Sequence, residues 1–191
     1  MSIDLPGFAD PVNGAQACFR AVLGGMSRPG SLHEAGQGLT PPAPLDPAAA
    51  AVLLTLVDAD TPIWLAPELS GARDWIVFHC GVTDVPDVAN AAFVVATTMP
   101  DLATLNAGTD EGPEEAATLV LQVRGLGRGT RLRLAGPGLA EPVTLLVDGL
   151  PDGFAAIWAA NHALYPRGID VILCAGNTLT ALPRSLRIAE G

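Results

Sequence analysis

The sequence predicts an α/β fold: a three-layer α/β/α sandwich on a mixed sheet. Three observations lead there. Helical and strand patterns alternate through the first half of the chain, an order that lays helices against a largely parallel sheet. Strands separated by glycine-containing turns dominate the second half, which adds antiparallel hairpins. The 191 residues suit one domain with a core of its own, and residues 1–191 show neither an internal repeat nor a second domain.

Residues 1–10 read as a loose tail. Asn13 to Gly24 has helical spacing, with Ala17, Ala21 and Leu23 near Phe19 and Val22, and Gly24-Gly25 reads as its stop. "SRPGSL" is a turn, and residues 34–47 form a Pro/Gly-rich connection. Asp46 then caps a helix with Pro47 at its first position. That helix, Ala48 to Val57, is apolar nearly all round and should lie deep in the core. "TPIWLA" is a short strand, Ser70 to Cys80 a helix, "AAFVVAT" a buried strand, and Pro100 to Asn106 a short helix. "ATLVLQV" (117–123) and "TRLRLAG" (130–136) read as two strands joined by a hairpin, "RGLGRG". Pro151 to Ala163 is a helix. "GIDVILCAG" and "TLTALP" close the chain as strands joined at Gly-Asn, a hairpin turn signal.

Composition removes several function classes. Acidic residues number 20 against 10 basic, for a net charge of −10. Such a chain repels nucleic acid and anionic membrane surfaces. All ten basic residues are arginine. Without lysine there is no Schiff base, hence no pyridoxal-phosphate catalysis, and no Gly-Lys-Ser/Thr phosphate loop. Hydrophobic residues make up 49% before the 21 glycines are added, and charged residues only 16%, against about 25% in a typical domain. Two readings fit: a genome rich in Ala and Gly, or a surface largely covered by partner chains. The longest apolar run, Ala48 to Val57, falls far short of the ~20 residues a membrane span needs. The N-terminal stretch lacks the basic and hydrophobic regions of a signal peptide. Cys18, Cys80 and Cys174 are scattered and odd in number, which suits reduced thiols in the cytoplasm.

The candidate chemistry is sparse. "GLGRG" (125–129) would need a strand before it and a helix after it to hold a dinucleotide, and an alternating strand follows instead. Ser27, in "GMSRPG", follows a helix and lacks the second glycine of a nucleophile elbow, so it reads as a turn. No two of His33, His79 and His162 have zinc-ligand spacing. The acidic stretches 58–62 and 110–115 lie in turns, and Glu114-Glu115 cap or flank the strand that follows. Two features stay open. Period-2 geometry puts Arg131 and Arg133 on one face of a strand and Leu132 and Leu134 on the other. The arginines either hold a phosphate or carboxylate, or keep a sheet edge soluble, or pair with some of the 20 acidic residues. Gly136-Pro137-Gly138 either presents amides to an anion or is a tight turn.

Taken in order, "CFRAVLGGMSRPG" (18–30), "LLTLVDADTPIWL" (53–65), "PEEAATLVLQV" (113–123), "TRLRLAGPGL" (130–139), "YPRGIDVILC" (165–174) and "LPRSLRI" (182–188) resemble the PhnH family, one of the subunits of the bacterial carbon–phosphorus lyase. The resemblance implies a fold similar to the major domain of pyridoxal-phosphate-dependent transferases, without that cofactor. It implies a homodimer that joins subunits G, I and J. In that complex a phosphonate displaces adenine from MgATP at ribose C1′, and the last of these subunits later cleaves the C–P bond with an iron–sulfur cluster and S-adenosylmethionine. It transfers no catalytic residue to this chain. Arg133, Gly136 and Gly138 fall on the family's "LRL-x-G-x-G" pattern and are the candidate ligand or subunit contacts, with Arg133 expected to matter more than Arg131. The chain is thus expected to be a non-catalytic subunit. The alternatives are a nucleotide- or phosphonate-binding module within the complex and, behind both, a free-standing transferase.

Overall fold

The structure is a computed structural model and describes residues 4–191. Its helices are α1 (Pro11–Ser27), α2 (Pro47–Leu56), α3 (Arg73–Cys80) and α4 (Phe154–His162). Its strands are β1 (His33–Glu34), β2 (Ile63–Leu65), β3 (Phe93–Ala96), β4 (Thr118–Gln122), β5 (Gly125–Ala135), β6 (Val143–Asp148), β7 (Asp170–Ala175), β8 (Thr178–Leu182) and β9 (Arg187–Glu190). They form two sheets. One has six strands in the order β1-β8-β7-β4-β3-β2, the other three in the order β6-β5-β9. Strands β2, β3, β4 and β7 run parallel, and β8 and β1 add antiparallel at one side. The fold is α/β on a mixed sheet, as expected.

The parallel strands are apolar on both faces because both faces are covered. Val95, Val120 and Ile172 are in register, fully buried, and packed with α1, α2 and α3. Val94, Leu119 and Val171, also in register, point the opposite way. They pack with Leu132, Leu134, Leu145 and Val147 of the small sheet and with Phe154 and Trp158 of α4. The outer layer on that side is therefore a three-stranded sheet plus one helix, which corrects the expected α/β/α layering.

Helix α2 has the near-uniform burial its sequence implies: Ala48 through Val52 and Leu53 are all inaccessible. Four consecutive alanines let it sit close to the sheet while it also touches α1 and α3. Asp46 stands at its N-cap but makes no capping bond. The Asp46 carboxylate instead accepts from the Gly176 amide at 3.0 Å, and the Asp46 amide donates to Gln122 Oε1 at 2.7 Å. Gln122 Nε2 donates to the Pro44 carbonyl at 3.0 Å, and the Ala48 amide donates to the Gly176 carbonyl at 2.8 Å. This network ties the start of α2 to the C-terminal ends of β4 and β7.

Other differences have clear causes. Helix α1 runs through Gly24 and Gly25 rather than stopping there. A Cβ on Gly24 would lie 2.6 Å from the His33 ring, and one on Gly25 would lie 3.1 Å from the Ala181 amide nitrogen. The glycines let α1 approach β1 and β8. Residues 1–3 of the expected loose tail lie outside the described residues. The remainder is anchored: the Leu5 carbonyl accepts from Trp75 Nε1 at 2.8 Å and lies 3.0 Å from His79 Nε2, and Asp10 caps α1. The expected 117–123/130–136 hairpin does not form, because β4 and β5 belong to different sheets. "GLGRG" is instead the first part of β5, with a bulge between Leu126 and Thr130 in its pairing with β6, where Gly127 and Gly129 have φ of +83° and +92°. The short helix at 100–106 is a single turn, Leu102–Thr104, capped by Asp101. The closing hairpin does form, turning at Gly176-Asn177. Strands β1, β6 and β9 add to the expected set.

Gln122→Leu should test the α2 anchor. It leaves the Asp46 amide and the Pro44 carbonyl without partners beside a side chain that is only 7% exposed. The expected loss is about 1–3 kcal/mol of unfolding free energy, read from urea denaturation. An unchanged midpoint contradicts the anchoring role.

Candidate functional site

The "SRPG" and "GPG" motifs, more than a hundred residues apart, meet at one end of the small sheet. Helix α1 ends at Ser27, and the chain turns over Arg28-Pro29-Gly30. The loop after β5 makes a tight turn, with the Leu139 amide donating to the Gly136 carbonyl at 3.2 Å. Gly138 has φ +83°, and a Cβ there would lie 2.2 Å from the Ser27 carbonyl oxygen. Only glycine lets this loop lie on the end of α1. The turn reading of the "GPG" stretch therefore holds, and the turn also builds a surface feature.

Two adjoining clefts flank the loop. One, of about 540 Å³, lies between Arg28–Ser31 and Gly138–Glu141. The other, of about 390 Å³, lies between Ala135–Pro137 and Leu139–Pro142, with Arg187 at its side. They share Leu139, Ala140 and Glu141. Gly136 and Gly138 thus belong to cleft walls. Arg133 lines neither cleft. It projects from the outer face of β5, opposite Thr144 of β6 and Ala189 of β9, while Leu132 and Leu134 are fully buried beneath it. The arginines that do reach the clefts are Arg28 and Arg187, which the motif reading passed over although both lie in the family-like segments.

Half of the arginines are committed to ion pairs: Arg73–Asp84, Arg124 and Arg128 with Asp148, Arg167–Asp110, and Arg184–Asp170. Arg184 is the most completely bound. It donates to Asp170 at 2.6 Å and 3.1 Å and to the Pro113 carbonyl at 2.6 Å. Among the described residues, Arg20, Arg28, Arg131, Arg133 and Arg187 have no carboxylate within 4.0 Å.

The nucleophiles and bases are placed for structure. Ser27 Oγ donates to the Gly24 carbonyl at 3.3 Å within its own helix. His33 lies 2.8 Å from Ser31 Oγ, His79 reaches the Leu5 carbonyl, and His162 lies 3.0 Å from the Arg184 carbonyl. Asp58 closes a turn, accepting from the Asp60 amide and the Thr61 hydroxyl. Among the described residues no three His, Cys, Asp or Glu side chains gather as a metal site. Burial raises all three thiols, Cys80 from 9.0 to about 12 and Cys18 and Cys174 also upward, so none is a ready thiolate at neutral pH. Among the described residues no helix is long and apolar enough to cross a membrane.

The comparisons with known proteins agree with one another. The family described as "Bacterial phosphonate metabolism protein (PhnH)" matches residues 6–189. A protein of Rhizobium meliloti (strain 1021), named alpha-D-ribose 1-methylphosphonate 5-triphosphate synthase subunit PhnH, is 42% identical over 186 residues, covering 95% of this chain and 93% of its own. HtxG of Stutzerimonas stutzeri, provisionally named a C-P lyase subunit protein, is 33% identical over 174 residues, covering 91% and 85%.

Two outcomes follow from the site's geometry. Gly138→Ala should lift the loop from α1 and lower stability by about 1–3 kcal/mol, because it adds both strain at positive φ and a clash with backbone. An unchanged thermal midpoint would mean the loop does not depend on that contact. For the thiols, a disulfide reagent at pH 8 should leave the native protein almost unlabelled, while the urea-unfolded chain reacts at three sites. Folded thiols hold their protons longer than unfolded ones. Their contribution to stability is therefore complete below about pH 9 and is lost as pH rises toward about 12. Rapid labelling of the native protein at pH 8 contradicts this.

Proposed function

The chain belongs to the PhnH family of bacterial phosphonate metabolism proteins, and from that premise we propose that it is a non-catalytic subunit of a carbon–phosphorus lyase core complex. The complex joins a phosphonate to ribose C1′ of MgATP with loss of adenine. The observation that carries this reading is the collinear match over residues 6–189, together with a relative named as a synthase subunit and 42% identical along nearly its whole length. The side-chain chemistry supports it: the serine, histidines and cysteines considered as nucleophiles or bases are spent on a helix end, backbone carbonyls, a serine hydroxyl and packing in or against the core. The low share of charged residues, 16%, fits a surface partly covered by other chains.

In this reading the protein is a cytoplasmic homodimer that assembles with subunits G, I and J. Its six-stranded sheet is akin to the major domain of pyridoxal-phosphate-dependent transferases, and it takes no pyridoxal phosphate because the chain has no lysine to form the Schiff base. A second reading, a nucleotide- or phosphonate-binding module, is favoured by one observation. Arg28 and Arg187, free of ion pairs among the described residues, stand at the two clefts beside Gly138 and Gly136.

The test is adenine release from MgATP plus a phosphonate. The purified chain alone should release none, and the complete assembly should release it only when this chain is present. Turnover by the chain alone overturns the non-catalytic reading. Equal turnover by an assembly lacking it overturns the subunit reading. Binding of MgATP or a phosphonate by the isolated chain, abolished in Arg28→Ala or Arg187→Ala, would select the second reading.

A further inference from the structure

The outer face of the three-stranded sheet carries a cationic cluster, of which Arg187 alone also borders one of the two clefts. Arg133 lies opposite Thr144 and Ala189, Arg131 opposite Leu146, and Arg187 opposite Ala135. Strand alternation puts these residues on one face, since Leu132 and Leu134 point into the core. Arg131 is two residues from Arg133 on the same strand, and Arg187 is its diagonal neighbour on β9, about 7–8 Å away. All three are exposed. Like charges so close repel one another. The chain has 20 carboxylates for its 10 arginines, and five other arginines found partners, yet these three stand without one among the described residues.

Protection of a sheet edge does not account for Arg131 and Arg133, although Arg187 does stand on an edge strand, β9. Arginines serve that purpose on edge strands, whereas β5 is the central strand, paired on both sides. Their companions on the face, Thr144, Leu146, Ala135 and Ala189, are small or apolar, so the guanidinium groups stand over a low surface.

Resting on the reading of this chain as a subunit, we propose that this face docks a carboxylate-bearing surface of a different subunit, with Arg133 at the centre of the contact. Guanidinium groups bind carboxylates in a planar, two-point geometry, which suits a face rather than a pocket. Arg131 and Arg133 line neither of the two clefts, and both are exposed on the open face of the sheet. A second copy pairing through the same face about a two-fold axis would set arginine against arginine. Arg187 also borders the cleft beside Gly136, so the contact extends from the sheet onto the 136–142 loop.

The experiment measures binding of the full-length chain to an assembly of the other subunits purified without it, at 50 and 300 mM NaCl. Wild type should bind and weaken steeply with salt. Arg133→Ala should lose about tenfold or more in affinity, Arg131→Ala less, and a triple Arg131→Ala/Arg133→Ala/Arg187→Ala variant should lose most of the salt dependence along with its affinity. Thermal midpoints and self-association of the variants should match wild type. Wild-type affinity and salt slope in the triple variant overturn the proposal. So does conversion of the triple variant to a different oligomeric state, which would make a second copy the occupant. Stoichiometric tripolyphosphate binding that is lost in Arg133→Ala also overturns it, in favour of a small-anion site. A wild-type chain that never joins the assembly removes the subunit reading itself, and this surface with it.

Discussion

Everything in this molecule follows from a parallel sheet that must be covered on both faces. Strands β3, β4 and β7 present valine, leucine and isoleucine alternately to each side, with Val95, Val120 and Ile172 toward the helices and Val94, Leu119 and Val171 away from them. Neither set can remain in water. On one side the solution is α2, whose alanines allow close approach, held in place by the Asp46–Gln122–Gly176 hydrogen bonds. These bonds satisfy backbone groups at the strand ends that burial would otherwise leave unpaired.

On the other side the cover is mostly a second sheet, and that choice creates the candidate surface. A sheet used as a lid has an inner and an outer face. Its inner face, Leu132, Leu134, Leu145 and Val147, completes the core. Its outer face is free to carry Arg131, Arg133 and, from β9, Arg187. The loop that leaves β5 must then cross the end of α1, and Gly138 permits the crossing. The two clefts and the arginine face are consequences of how the core was closed, and all of them lie on or beside the lid.

Much of this was legible in the sequence. The helix at 48–57, the buried strands, the Gly-Asn hairpin and the alternation of Arg131/Leu132/Arg133/Leu134 are local patterns, and local patterns survive folding. The losses came where long-range contact decides. "ATLVLQV" and "TRLRLAG" look like a hairpin because a glycine-rich link joins them, but nothing local says that they enter different sheets. Gly24-Gly25 looks like a helix stop because its packing partners, His33 and Ala181, are distant in sequence. Asp46 looks like a cap because Gly176, which claims its carboxylate, is 130 residues away. The family-like motifs pointed to Gly136 and Gly138, and both stand in the walls of the two clefts. They also grouped Arg133 with those glycines, although its register places it on the outer face while Arg187 reaches the cleft.

The central claim is that the chain acts through the lid's surface and supplies no chemistry of its own. Hydrogen exchange of the chain, alone and within the complete assembly, tests this most directly. The account predicts new protection in β5, β9 and the 136–143 loop on assembly, with the amides of β3, β4 and β7 equally protected in both states. Protection confined to other surfaces, with β5, β9 and the loop exchanging as freely as in the isolated chain, would contradict it.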